Sequence, residues 1–428
     1  MADQGGSQHG IARTSRARTE EQRQRDLERI AKYRELEDQV RAHITRGEYT
    51  PEVFQLTSKL LRLNPEYYTI WNARRRCLIS GSFSKPSAGS SCSKACSSTS
   101  PSATTSTSST NSLSSSSAAT HPSPASPTAG RSGTTADPEA TTASSDPAQN
   151  QEAPSAEEAQ DLSIIKSELA FTIPLLLESP KCYWIWSYRL WILQQAIARL
   201  RPALARRIWE EELGLASKML GKDRRNFHAW GYRRHVVRQL ESSALEGSSM
   251  VESEFAYTDK MIFNTDLSNF SAWHSRSKLI PHLLDERGAD EAARRAFLDK
   301  ELSHIRNALN VGPEDQSLWY YHQFLILNIV EPEKHPSMTR SFTREDRAAY
   351  LRREIDEIKD LLEDYDDVKM IYEGLFEYTL YLCQLEERQP DESERADLVA
   401  WLGKLKQLDP MRNGRWIDLE RDCGLKDQ

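Results

Sequence analysis

Pro180-Lys181-Cys182-Tyr183-Trp184-Ile185-Trp186-Ser187-Tyr188-Arg189-Leu190-Trp191 is the stretch whose reading decides the fold. It recurs, altered, as Asn226-Phe227-His228-Ala229-Trp230-Gly231-Tyr232-Arg233 and as Asn269-Phe270-Ser271-Ala272-Trp273-His274-Ser275-Arg276. It recurs again as Gln316-Ser317-Leu318-Trp319-Tyr320-Tyr321-His322, and an earlier copy is Asn64-Pro65-Glu66-Tyr67-Tyr68-Thr69-Ile70-Trp71-Asn72-Ala73-Arg74. Trp186, Trp230, Trp273 and Trp319 stand 44, 43 and 46 residues apart. A period in the forties with helical patterning reads as a solenoid of helical hairpins.

Within one unit, Tyr183, Trp186, Leu190 and Leu193 fall at i, i+3, i+7 and i+10, one stripe of an α-helix. Pro180 suits the start of that helix, and Asn64-Pro65 gives the first copy a cap residue and a proline. Another amphipathic segment precedes each copy: Ile164, Leu169, Phe171 and Leu175-Leu176-Leu177 before Trp186, and Ile208, Leu213, Leu215 and Met219 before Trp230. A lone hairpin leaves its apolar face open, so neighbours must stack. Trp71, Trp186, Trp230, Trp273 and Trp319 are the expected structural core, each burying roughly 150–250 Å². Arg74, Arg189, Arg233 and Arg276 follow their tryptophans by three residues, and His322 takes that place in the fifth copy. Two readings stay open for this row. Each Arg stem packs between hairpins with its head on a carboxylate or a helix C-terminus, or the row faces a partner subunit.

Bulk properties narrow the classes. The chain has 428 residues, 38% hydrophobic and 28% charged, enough for one large α domain plus unstructured segments. A net charge of −7 gives a general nucleic-acid role no electrostatic support. Low glycine and few alternating β-branched runs argue against a large sheet. No apolar run reaches 18 residues, so no membrane span is expected. Met1 to Thr19 lacks the apolar core of a secretory signal. Cys77, Cys92, Cys96, Cys182, Cys383 and Cys423 are scattered, which argues against a zinc site or a disulfide framework and for a reducing, cytoplasmic compartment.

In chain order, residues 1–18 are expected as a flexible arm and 19–81 as N-terminal helices plus the first repeat. Leu27, Ile30, Tyr33, Leu36 and Val40 form the stripe of the first helix. Residues 82–156 are Ser, Thr, Ala and Pro, a composition that cannot offset its ordering entropy and is expected to be disordered. The stretch reads as an expanded loop between two hairpins. Repeats two to six are expected over 157–423. Glu331-Pro332 to Pro336 marks a loop, and Asp409-Pro410-Met411-Arg412 with Trp416 a degenerate final copy.

These repeats resemble those of the protein prenyltransferase α subunits, over about residues 19–81 and 157–423. Asn269 to Pro281, Pro313 to His322 and Asp409-Pro410-Met411-Arg412 together resemble the Rab geranylgeranyltransferase branch, in its compact, fungal-like form. The resemblance implies an all-α, right-handed crescent wrapped around a separate β subunit. That β subunit holds the zinc and the lipid pocket, so no cofactor is expected in this chain. The implied activity is type II protein geranylgeranyl transfer, from geranylgeranyl diphosphate to C-terminal cysteines of Rab GTPases presented by Rab escort protein. The Lys of the family's Pro-Lys-x-Tyr motif contacts the prenyl diphosphate and maps onto Lys181. Tyr183, Asn226 and His228 map near the substrate path, while Tyr183 and His228 could equally serve hairpin packing. His274 and His322 read as packing histidines. His9 could head an autoinhibitory arm that reaches the partner's zinc. The α subunit shared by farnesyltransferase and type I geranylgeranyltransferase carries a Gln where this chain has Trp184, and an indole cannot bind a CaaX carboxylate as that amide does. A non-catalytic repeat scaffold is the remaining alternative.

Overall fold

The computed structural model describes residues 19–84, 155–331, 333–334 and 338–425. The expected N-terminal arm, with His9, and residues 85–154 of the expected insertion lie outside them. Every regular element among the described residues is helical. A lone helix, α1 (Glu20–Thr45), precedes the hairpins. These are α2/α3 (Pro51–Leu63, Tyr68–Cys77), α4/α5 (Ala156–Glu178, Tyr183–Arg199), α6/α7 (Pro202–Lys222, Phe227–Leu240) and α8/α9 (Val251–Phe263, Phe270–Glu286). They continue as α10/α11 (Glu291–Val311, Gln316–Val330), α12/α13 (Arg344–Asp364, Lys369–Leu385) and α14/α15 (Glu392–Leu408, Asn413–Asp422).

Local chemistry sets the boundaries. Thr19, Thr343 and Asp391 head their helices with complete capping boxes, each satisfying two otherwise orphaned backbone donors. Pro51 and Pro202 occupy the first helical positions, where a missing N–H costs nothing.

The repeat tryptophans are buried, and each indole N–H donates to the backbone carbonyl six residues back. Trp71 reaches Pro65 at 2.8 Å, Trp186 reaches Pro180 at 2.9 Å, Trp230 reaches Arg224 at 2.8 Å, Trp273 reaches Leu267 at 2.8 Å and Trp319 reaches Pro313 at 2.6 Å. A buried indole needs such an acceptor, and this one fastens the turn inside each hairpin onto its second helix. The same bond exposes a hairpin that tryptophan spacing skips. Tyr372 donates to the Asp366 carbonyl at 2.7 Å, also six residues back, so α12/α13 is a full repeat with Tyr in the Trp slot. The described residues therefore hold seven hairpins, not the six expected, and Trp416 completes the last by donating to the Asp409 carbonyl at 3.0 Å.

The arginines three residues on decide between the two readings of their row. Each is buried and forks onto a glutamate on the first helix of the next hairpin. Arg74 donates to Glu168 at 2.6 and 2.7 Å, Arg233 to Glu254 at 2.8 and 2.5 Å, and Arg276 to Glu301 at 2.7 and 2.6 Å, with Arg189 on Glu212 in the same way. The remaining nitrogen reaches back to the first helix of the same hairpin, as Arg74 does to Ser58 at 2.6 Å and Arg233 to Ser217 at 2.7 Å. One side chain thus ties three helices. In three joints a tyrosine of the next second helix adds its hydroxyl to the same carboxylate: Tyr188 on Glu168, Tyr232 on Glu212 and Tyr321 on Glu301. Burial beside a carboxylate holds these phenols well above their ordinary pKa. Their rings pack on the tryptophan of the preceding repeat at centroid distances of 4.7, 4.8 and 4.4 Å. His322 plays the arginine's part with Glu354 at 3.2 Å and Tyr378 at 2.9 Å, as befits a packing histidine. In the sixth repeat Gly374 replaces the tyrosine, and a Cβ there would stand 2.9 Å from the Trp319 ring.

Three expectations need correction. Tyr183 lies off the buried stripe of α5, which runs through Ile185, Trp186, Tyr188, Arg189, Ile192 and Leu193. The stripe of α1 is buried only toward its C-terminal end, because α2 covers that half and leaves Leu27 and Ile30 exposed. The insertion begins later than Ser82. Phe83 is buried under the Arg199 guanidinium at 4.4 Å, and Ser84 donates its N–H to Asp161 at 2.9 Å, so a single aromatic anchors the loop's first residues.

Candidate functional site

The ladder engages the charges between hairpins. The edge where the second helices begin is different, and Lys181 stands on it. Its turn is pinned from both sides. The Pro180 carbonyl accepts the Trp186 indole N–H and, at 3.1 Å, the Asn226 amide of the next hairpin. The Cys182 thiol, buried and with its pKa pushed up by burial, points at the Pro65 carbonyl of the previous hairpin. From this fixed backbone the Lys181 side chain extends into solvent at 75% exposure, with Asp223 as its neighbouring carboxylate at 3.7 Å. At that exposure and distance the pair holds the ammonium weakly, so it is free to meet an incoming anion.

Tyr183, the first residue of α5, is 58% exposed. Its ring meets Trp184 edge-on at 5.2 Å and His228 at 6.3 Å. Trp184, half-buried, leans on Tyr68 of the first hairpin at 4.5 Å. Lys181, Tyr183 and His228 are therefore neighbours on one surface. Asn226 is not part of it. It is buried, caps α7 by accepting the His228 and Ala229 N–H groups, and holds Pro180 with its amide. It positions the turn.

Sequence reasoning missed Phe227, which is 77% exposed beside His228 at 6.0 Å. A signal existed: Tyr68, Tyr183, Phe227 and Phe270 all stand three residues before their tryptophan. All four are exposed, and Phe270 continues the row to exposed Tyr320 at 6.1 Å. His274, expected to pack, is instead exposed and stacks on Phe270 at 6.0 Å. Burial first, then the cations of Lys278 and Arg234, lowers its pKa below that of an ordinary histidine.

The arrangement offers an exposed, loosely paired cation beside aromatic rings, which suits an anionic head on an apolar body. No cluster of three or more His, Cys, Asp or Glu side chains among the described residues is placed to hold a metal ion. The buried Cys182 thiol has neither the exposure nor the lowered pKa of a nucleophile. No helix among them is long and apolar enough to cross a membrane.

Comparison with known proteins agrees with the ladder. The model of the protein prenyltransferase alpha subunit repeat matches residues 51–80, 165–196, 209–240, 251–283 and 298–329, the five hairpins with a tryptophan and an Arg or His three residues later. The geranylgeranyl transferase type-2 subunit alpha of Saccharomyces cerevisiae is 31% identical over 263 residues, spanning 59% of this chain and 72% of the relative. The protein of the same name from Candida albicans is 27% identical over 439 residues, covering 96% and 97%. A chain of the solved Candida albicans protein geranylgeranyltransferase-I complexed with GGPP overlays with a TM-score of 0.49 at 18% identity, covering 91% of this chain and 89% of that one. Repeats, spacing and similarity along the chain together make it a member of the protein prenyltransferase α subunit family, on the side of the type-2 geranylgeranyl transferase α subunits.

Proposed function

We propose that this chain is the α subunit of a heterodimeric geranylgeranyltransferase that modifies Rab GTPases presented by Rab escort protein. A β subunit completes the enzyme, and a zinc ion held by that subunit would favour the thiolate form of the Rab cysteine. In the transfer a carbon–sulfur bond forms at carbon 1 of geranylgeranyl diphosphate, the carbon–oxygen bond to diphosphate breaks, and the diphosphate leaves with the electron pair. This chain's contribution is Lys181. Negative charge grows on the departing diphosphate, so a cation there stabilises the transition state more than the ground state.

The observation that carries the reading is the placement of Lys181: an exposed ammonium, loosely paired with Asp223, on a turn fastened by three hairpins, beside the exposed ring of Tyr183 and the half-buried ring of His228. Trp184 supports the Rab-type substrate over a CaaX peptide. Its indole is half-buried against Tyr68 and Tyr183, and it offers no carboxamide to a C-terminal carboxylate. The exposed aromatic row supports a partner subunit, since apolar rings in one line along an edge are a feature of docking surfaces.

The test is co-expression with a type-2 β subunit, followed by transfer of labelled geranylgeranyl to a Rab with escort protein and, separately, to a CaaX peptide. Transfer to the Rab alone is expected. Transfer to the CaaX peptide alone would reassign the substrate, and absence of any complex would favour a scaffold.

A further inference from the structure

Lys181, Arg225 and Ser268 each stand five residues before a repeat tryptophan, on the turn that the indole fastens. Each reaches forward to the turn of the next hairpin. Arg225 donates to the Ser268 carbonyl, and Ser268 donates to the Asp315 carboxylate, both by direct hydrogen bonds. Lys181 reaches the same way, to Asp223. Of the three, only its contact stays open, at 3.7 Å.

The backbones that carry this pair are both fixed. Pro180, beside Lys181, is held by Trp186 and Asn226. The Asp223 turn is held the same way one hairpin on: the Arg224 carbonyl accepts the Trp230 indole N–H at 2.8 Å and the Asn269 amide at 3.3 Å. The Asp223 carboxylate is set as well. Its Oδ1 accepts the Arg225 backbone N–H at 3.2 Å, and its Oδ2 faces Lys181. The mobile part of the pair is therefore the four-carbon stem of Lys181. Left to itself, that stem spreads its ammonium over many rotamers, and ordering it at the moment of reaction costs free energy. A fixed carboxylate within reach narrows the spread before the substrate arrives. Asp223 leads into α7, so it draws the ammonium toward the helix whose His228 ring meets Tyr183.

We propose that Asp223 is the positioning residue for Lys181: it keeps the ammonium at the α6/α7 turn while the enzyme is empty and yields it to the diphosphate of the prenyl donor. An exposed pair at 3.7 Å is weak enough to exchange partners. A diphosphate, with several charged oxygens, attracts the same ammonium more strongly than one carboxylate does. Asp223 touches no reacting atom and acts only through Lys181. This inference rests on the role of Lys181 proposed above.

The test is a double-mutant cycle in the full heterodimer. Single-turnover transfer of labelled geranylgeranyl to a Rab with escort protein is timed for wild type, Asp223→Asn, Lys181→Ala and the double variant, with Asp266→Asn as control. Donor binding is read separately by titration with geranylgeranyl diphosphate, and thermal melting shows that each variant is folded. Asn keeps an acceptor for the Arg225 N–H and removes only the charge, so the turn survives. Asp266 is the comparable carboxylate of the next turn, 3.9 Å from Arg224. Asp223→Asn is expected to slow transfer about two- to fivefold, the bias an exposed pair can maintain. It should not weaken donor binding, because a negative charge has left the donor's surroundings. In the Lys181→Ala background the same change is expected to do nothing, and Asp223→Glu should recover part of the rate. A merely structural role would slow both backgrounds alike. Equal slowing in both, no slowing in either, or equal slowing by Asp266→Asn would overturn the positioning role while leaving Lys181 in place. A Lys181→Ala variant with the wild-type rate would overturn both.

Discussion

Two cationic regions of this molecule sit only a few residues apart and behave in opposite ways. In the ladder, Arg189 is buried and forked onto Glu212, and the Tyr232 hydroxyl donates to the same carboxylate. On the edge, Lys181 is three-quarters exposed, with one loose carboxylate at 3.7 Å. The ladder satisfies its charges internally because water cannot reach them. The edge leaves its charge in solvent, with only the loose Asp223 contact, and on the proposed reading an outside anion satisfies it. Side chains of the first kind should govern stability, and those of the second kind activity.

The largest stability effect should come from the ladder itself. Glu301→Ala strands Arg276 without its main counter-ion in the interior and should cost about 3–5 kcal/mol, the range for removing one partner of a buried pair. Urea unfolding would measure it. A loss within error of zero would show that water enters the joint and that the ladder is not a buried one. Trp230→Ala should cost about 3–5 kcal/mol through lost packing, and the orphaned Arg224 carbonyl adds to that figure. A wild-type melting curve would remove Trp230 from the core. Tyr321→Phe is milder. It keeps the ring against Trp273 and takes away one hydrogen bond to a carboxylate that Arg276 still holds, so about 1.5–3 kcal/mol is expected. The third joint of the ladder sharpens this prediction from within. There Ser275 stands where Tyr188, Tyr232 and Tyr321 stand elsewhere, and its hydroxyl is buried without a partner. Glu254 therefore keeps Arg233 but receives no tyrosine. Ser275→Phe should be tolerated worse than Tyr321→Phe only if that space is filled by other side chains. At the small end, Lys181→Ala should leave the melting temperature unchanged, because an exposed pair contributes little.

The sequence carried the solenoid because a repeated Trp-x-x-Arg prints its period directly, and each element of that motif has one physical task. The part it did not carry follows from substitution within the pattern. Tyr372 does the tryptophan's hydrogen bonding with a different ring, so spacing alone passes over α12/α13. The destination of the arginines was not legible either. Their carboxylates lie 21 to 94 residues away on a first helix whose glutamates look like surface residues in sequence. Asn226 shows the same limit at the site. Its position in the motif matched a substrate-path residue, whereas the structure gives its amide to a cap and to Pro180. Phe227 was hidden because one exposed aromatic means nothing until its counterparts Tyr68, Tyr183 and Phe270 are seen on the same edge.

The contrast between ladder and edge is tested most directly by Lys181→Ala in the heterodimer. Geranylgeranyl transfer to a Rab with escort protein would be followed for both forms, with melting temperature as the stability readout. The account predicts an unchanged melting temperature, an intact heterodimer and a kcat lowered roughly 10²–10³-fold, the usual loss for one charge-stabilising contact. Full activity in the variant would contradict it and return Lys181 to the ordinary surface.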